Sequence, residues 1–147
     1  MTLPVPTIRA STTTDVESLE AFIAPFVEAG RLLPRTTAEM HDLIKHGFLA
    51  ECEQSGELEI VGFAALEIYS SKLGEIRSLA VDVRFQGQGV GKQLVAECVK
   101  RANELDVLEV MAITSMEDFF KACGFDFTLP GEKKALFYRL EEGTSHA

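Results

Sequence analysis

The sequence predicts an α+β fold in which a mixed, mostly antiparallel sheet carries helices on its faces. Three observations predict it. The strand-like stretches FLAEC, LEIVGFAALEIY and EIRSLAVDV follow one another with only short turns between them, the pattern of an antiparallel meander. Strand, helix and strand patterns then succeed each other over residues 76 to 113, as in a right-handed crossover joining two parallel strands. Ahead of the meander stand two amphipathic segments with capping boxes, and no repeat or low-complexity linker interrupts the chain.

In chain order, Thr7 to Ser11 reads as a short strand. TDVESLEAFIAPFVEAG follows, with Thr14 and Glu17 spaced as a capping box and Leu19, Phe22, Ile23, Phe26 and Val27 at helical spacing up to Gly30. A second box, Thr36 with Glu39, opens a shorter helix through Met40, Leu43 and Ile44 that stops at Gly47. Gly56 and Gly74 punctuate the three strands of the meander. Val90, Leu94, Val95, Cys98, Ala102 and Leu105 form one apolar stripe along a helix of about four turns. VLEVMAI then reads as a buried strand, SMEDFFKACGF as a short helix stopped at Gly124, and ALFYRL as a last strand.

With 147 residues, 46% of them apolar, the chain is the size of one domain, residues 1–147, with a substantial core. Its net charge is −9 and its pI about 4.8, and its 14 basic residues are scattered. That distribution argues against a nucleic-acid or anionic-membrane partner. It also means that an anionic ligand must be held by local donors against the overall field. Cys52, Cys98 and Cys123 lack disulfide or zinc spacing, which suits small buried thiols in a reducing cytoplasm. His41 and His46, five residues apart, do not share a metal-binding face, so no metal is expected. MTLPVPTIRAS lacks the basic and apolar regions of a signal peptide, and the protein reads as cytoplasmic.

The stretch SLAVDVRFQGQGVGKQLVAECVKRA places Gly87, Gly89 and Gly91 at the mouth of a helix. A helix N-terminus presents unpaired N–H groups and the positive end of a dipole, and bare backbone lets an anion approach them. A P-loop would need Lys-Ser or Lys-Thr after its last glycine, whereas Gly91 precedes Lys92 and Gln93. The dinucleotide fingerprint GxGxxG does not fit the spacing either. A tight strand-to-helix turn, or a diphosphate held mainly by backbone amides, remains.

LAVDVRFQGQGVGKQLV resembles motif A of the GNAT superfamily, the GCN5-related N-acetyltransferases: a strand, then Gln/Arg-x-x-Gly-x-Gly/Ala, falling here on Gln86, Gly89 and Gly91. Arg84 to Gly89 also satisfies the pattern, but the apolar stripe begins at Val90. The element order matches the family's along nearly the whole chain, and DFFKACGF resembles its motif B. The resemblance implies acetyl-CoA as cosubstrate, lying where two central parallel strands splay apart, around Leu79 to Val81 and Val110 to Ile113. Leu79, Ala80 and Val81 would line the pantetheine arm, paired by strand addition. Gln86, Gly87, Gln88, Gly89, Val90, Gly91 and Lys92 would form the pyrophosphate turn. A strand bulge would aim one amide at the thioester carbonyl.

GRLLPRT, GFLAE, IVGFAAL, GEIRSLAV and FFKACGF further resemble the acetyltransferase domain of bacterial N-acetylglutamate synthases, including their short forms. That resemblance implies acetylation of the α-amine of L-glutamate, a step of arginine biosynthesis. It makes Arg35 the carboxylate clamp, with Arg31 a weaker companion and Arg77 a second substrate-binding residue. Glu75 would take the ammonium proton. By the two-residue strand period, Glu75, Arg77 and Leu79 should share one face. The motif B position that often holds a tyrosine acid is Phe120, so the acid is Thr114 or Ser115, solvent or the departing ammonium proton, and Tyr69 and Tyr138 read as packing residues in strands. Acetylation of another small amine or a protein N-terminus, a catalytically idle acyl-CoA-sensing module and a cofactor-free interaction domain stay open. So does a homodimer.

Overall fold

The computed structural model describes residues 3–128, 131 and 135–140. Five strands form one sheet in sequence order: β1 (Thr7–Ala10), β2 (Gly47–Gln54), β3 (Glu57–Ser70), β4 (Leu73–Val81) and β5 (Glu109–Met111). The first four are antiparallel neighbours, and β5 runs parallel to β4. The β2–β3 hairpin turns on Ser55 and Gly56, both with positive φ, which matches the right-handed strand twist. Ser71 and Lys72 turn β3 into β4, and their carbonyls accept the N–H groups of Leu108 and Glu109 at 3.1 and 3.0 Å, guiding β5 alongside.

Helices cover both faces. On one, α3 (Val90–Glu104) lays Val90, Leu94, Val95 and Cys98 against Ala50, Val61, Ala64, Leu66 and Ile76. Gly62 permits that contact, because a Cβ there would stand 3.0 Å from Leu94 and 3.3 Å from Val90. On the other face α1 (Val16–Glu28) and α2 (Thr37–Leu43) pack Leu19, Ile23, Met40 and Leu43 against Leu49, Phe63 and Ala65. A short helix, α4 (Glu117–Ala122), follows β5 and brings the buried Phe120 to the α3 side.

Four local expectations change. The first capping box lies at Thr12 and Asp15, not Thr14 and Glu17, and sits on a single 3-10 turn before α1. The reason is Arg9, which grips the Asp15 carboxylate at 2.8 and 2.9 Å while that carboxylate accepts the Thr12 N–H at 2.7 Å. Gly74 does not punctuate the meander but lies inside β4, where a Cβ would meet Leu66 at 3.0 Å; Gly47 ends the helical turn as expected and opens β2. The strand expected over VLEVMAI narrows to the three residues of β5. ALFYRL, Ala135 to Leu140, is no strand, and its Leu136 and Tyr138 are 91% and 90% exposed. Its apolar alternation meets no neighbouring strand among the described residues, and a strand without a partner leaves its backbone groups to water. Tyr138 is therefore no packing residue.

Candidate active site

β4 and β5 pair over only three rungs, Leu73 with Glu109, Gly74 with Val110 and Glu75 with Met111. Beyond them the strands diverge around a cavity of about 870 Å³. One wall is β4 at Ile76 and from Ser78 to Val81, and the other is Ala112 to Met116 with Phe119, Phe120 and Cys123. This is the splayed pair that the resemblance implied.

Within β4, Arg77 pairs with Ala65 and Ala80 with Phe63, so Ser78 and Leu79 together oppose Ala64. Ser78 takes φ 57°, and an extra residue in left-handed conformation is a bulge that re-aims the backbone of one strand. The bulge also shifts the side-chain period. Glu75 and Arg77 lie opposite Glu67 and Ala65 on the face that α1 and α2 cover, whereas Leu79 packs with the α3 cluster. The expectation that Leu79 shares their face is thus corrected.

The glycine turn forms the cavity's far end, where Gln86, Gly87, Gly89, Val90, Gly91 and Lys92 line it and Gln88 does not. Gly87 and Gly89 have φ of +81° and +84° with open space where a Cβ would stand, so both are there for backbone conformation. Gly91 has a different cause: a Cβ would press on the Phe119 ring at 3.3 Å and approach Val81 at 3.5 Å. The first α3 carbonyl bond runs from Gln93 N–H to Gly89 O at 3.0 Å. Val90, Gly91 and Lys92 therefore precede it with N–H groups directed out of the helix end. The amide side chains fold back, Gln86 to Val81 O at 3.1 Å and Gln88 to Arg84 O at 3.3 Å. Arg84 is committed to Asp82, Glu59 and Gln54 at 2.8 to 3.1 Å and lies outside the cavity wall. Lys92, on the first turn of α3, and Arg31, just after α1, are the two cations that line the cavity. Open left-handed turns, unpaired helix amides and one lysine fit a pyrophosphate.

The other named residues divide between the cavity and the α2 side of β4. Thr114 and Ser115 line the cavity, and Thr114 Oγ1 accepts the Met116 N–H at 2.8 Å, which leaves the hydroxyl proton to donate. Phe120 is buried in edge-to-face contact with Phe119 and Phe125. Glu75, Arg77 and Arg35 are not in the cavity wall. Glu75 is only 6% exposed; its Oε1 accepts the Tyr69 hydroxyl at 2.5 Å and Arg77 Nη1 at 3.4 Å. Arg77 Nη1 also reaches Glu67 at 3.2 Å.

Arg35 stands just before the Thr36 cap of α2, and its Nε is buried without a hydrogen-bond partner among the described residues. Glu39 is held below the usual carboxylate range chiefly by the Thr36 N–H, and Arg35 and Arg77 both add to that pull. Tyr69, expected to be packing, is a member of the cluster around Glu75 and Arg77. Burial first, then its bond to Glu75, raises its phenol above the usual value, so it stays a donor. No local signal finds it: counting back from the two-residue turn at Ser71–Lys72 would set Ile68 against Glu75, and only the irregularity at Tyr69, between the Ser70–Leu73 and Ile68–Gly74 pairs, brings Glu67 opposite Glu75.

Among the described residues no cluster of His, Cys, Asp and Glu could hold a metal ion, and no helix is long and apolar enough to cross a membrane. The profile of the acetyltransferase (GNAT) family matches residues 15–125. The amino-acid acetyltransferase of Mycobacterium tuberculosis is 30% identical over 121 residues, 82% of this chain and 68% of that protein. A solved Mycobacterium tuberculosis structure in complex with CoA and the ligand NLQ superposes with a TM-score of 0.73 at 29% identity, covering 88% of this chain and 77% of that one. The N-acetylglutamate synthase of Neisseria gonorrhoeae, solved with coenzyme A and N-acetyl-glutamate, gives a TM-score of 0.67 at 26% identity over 82% of this chain. The match occupies 28% of that longer synthase chain. A family profile spanning most of the chain, and a splayed strand pair ending in a glycine-built anion cradle, lead to one conclusion: the chain belongs to the GNAT family and is an N-acetyltransferase that uses acetyl-CoA.

Proposed function

We propose that this enzyme acetylates the α-amine of an amino acid, with L-glutamate the first candidate, as one cytoplasmic domain of residues 1–147 serving arginine biosynthesis. The observation that carries this reading is Arg35. A guanidinium whose Nε is buried and unpartnered among the described residues is a donor suited to a ligand carboxylate. The names of the relatives support the same choice of acceptor.

Acetyl-CoA supplies the thioester carbonyl. Arg35 holds the acceptor's carboxylate, and Arg31, on the cavity wall, offers a second positive charge. Glu75 takes a proton from the ammonium group, so that the N–H electron pair becomes the attacking lone pair. Three residues of strand, about 10 Å at the usual rise, separate Glu75 from the Ser78 bulge, and a short chain of water molecules carries the proton over that interval. The bulge amide at Ser78 and Leu79 faces the carbonyl oxygen, and the C–S bond breaks as the C–N bond forms. Thr114 or Ser115 gives a proton to the departing thiolate and regains one from the second proton that the acylated nitrogen releases.

The test is release of free thiol from acetyl-CoA across the amino acids, together with thermal shift on acetyl-CoA. Glutamate-dependent release is the expected result. Arg35→Ala should then raise the acceptor KM by about tenfold or more while the acetyl-CoA KM changes little. Equal effects on both constants remove Arg35 from the acceptor site. Release with other amines but not glutamate overturns the acceptor assignment. A thermal shift without turnover on any amine favours the acyl-CoA-sensing reading, for which the missing hydroxyl at Phe120 is the supporting observation.

A further inference from the structure

We infer that Tyr69 is a positioning residue for Glu75: it ties down one carboxylate oxygen and leaves the other to accept the substrate's proton. The inference rests on Glu75 being the base.

The direction of every bond in the cluster follows from donor chemistry. Arginine can only donate, so at 3.0 Å the Tyr69 oxygen accepts from Arg77 Nη1. The single phenolic proton is then left for Glu75 Oε1, 2.5 Å away. Arg77 cannot substitute for it. Its Nη1 carries two protons for three acceptors, Glu67, Tyr69 and Glu75, and the Glu75 contact at 3.4 Å is the longest of them. A buried carboxylate needs partners, and Glu75 obtains its one short bond from Tyr69.

Glu75 Oε2 accepts no hydrogen bond from a described residue. It is not sealed either, since Arg35 Nε is the only buried, unpartnered side-chain N or O atom among the described residues. Oε2 is thus the oxygen that can receive a proton, directly or from water. The groups that face Glu75 are Arg77 on its own strand and Glu67 and Tyr69 on β3, and on α2 Glu39 feels the charge of Arg77; Met111 on β5 brings no charge.

Tyr69→Phe keeps the ring of a side chain that is 47% exposed, so the fold and acetyl-CoA affinity should persist. The experiment measures kcat and kcat/KM against pH for wild type, Tyr69→Phe and Glu75→Gln, with thermal melts in parallel. The expected result is a kcat lowered about tenfold in Tyr69→Phe, a smaller loss than in Glu75→Gln, with the acceptor KM nearly unchanged. A wild-type profile and kcat in Tyr69→Phe, beside a crippled Glu75→Gln, overturns the role of Tyr69 and leaves the base intact. A raised acceptor KM with unchanged kcat overturns it too, since Tyr69 would then be a substrate contact. Wild-type turnover in Glu75→Gln removes the base reading and this inference with it.

Discussion

At the scale of single residues, the three glycines of the turn have separate causes and should fail separately. Gly89 holds φ +84° as the N-cap of α3 with empty space around it. A side chain there costs about 1 kcal/mol of backbone strain and stands where an anion must approach. Gly89→Val should weaken acetyl-CoA binding by about tenfold or more while circular dichroism is retained, since a contact on a charged phosphate is worth about 1.5 to 3 kcal/mol. An unchanged affinity in a calorimetric titration would remove the cradle. Position 91 answers to Phe119 instead, so substitution there acts on the packing of α3 against α4. Spacing alone located these glycines, but only the Phe119 ring distinguishes the third from the other two.

At the scale of elements, α1 is anchored through Arg9, whose guanidinium spans Asp15 ahead of the helix and Glu51 on β2. The Arg9 hydrogen bonds are the main cause that lowers the Asp15 carboxyl from an ordinary 3.8 to about 2. A lowered folded-state value stabilises the protein above the unfolded value and is lost as pH falls through the folded one. The window therefore runs from about pH 4 down to about pH 2, with about 2 kcal/mol at stake. Asp15→Asn should lower the unfolding free energy by that order at pH 7 and by much less at pH 2. Urea titrations at the two pH values check this, and an equal loss at both would mean that the charge is not the cause. The helix itself was legible in the apolar spacing of Leu19, Phe22 and Ile23. Its true cap was not, because Asp15 is selected by an arginine on a neighbouring strand rather than by a signal within the helix.

At the scale of the molecule, the sheet is continuous up to β4 and opens because β5 joins it for three rungs only. α3 bridges both halves, with its N-terminus at the cleft and its apolar stripe on the strands. Leu94, fully buried against Gly62, is central to that support. Leu94→Ala should cost about 3 kcal/mol in urea unfolding, the usual range for a buried leucine truncation. A loss below about 1 kcal/mol would show that α3 packs more loosely than its burial indicates. Element order and the parallel crossover were readable because each rests on local periodicity. The six residues ALFYRL show the limit of that signal: alternation describes a strand, but a strand exists only beside another.

The sequence by itself determined the kinds and order of most elements, the conformational need for glycine at the mouth of α3, and the family. All of these are written in short-range patterns of apolar residues and glycine. The tertiary structure decided the parity of β4 beyond the Ser78 bulge, the partner of Asp15, the packing cause of Gly91 and the pairing of Tyr69 with Glu75. Each depends on strand register or on contact between elements distant in the chain, and a single inserted residue in a strand exchanges its faces without leaving a trace in the local pattern.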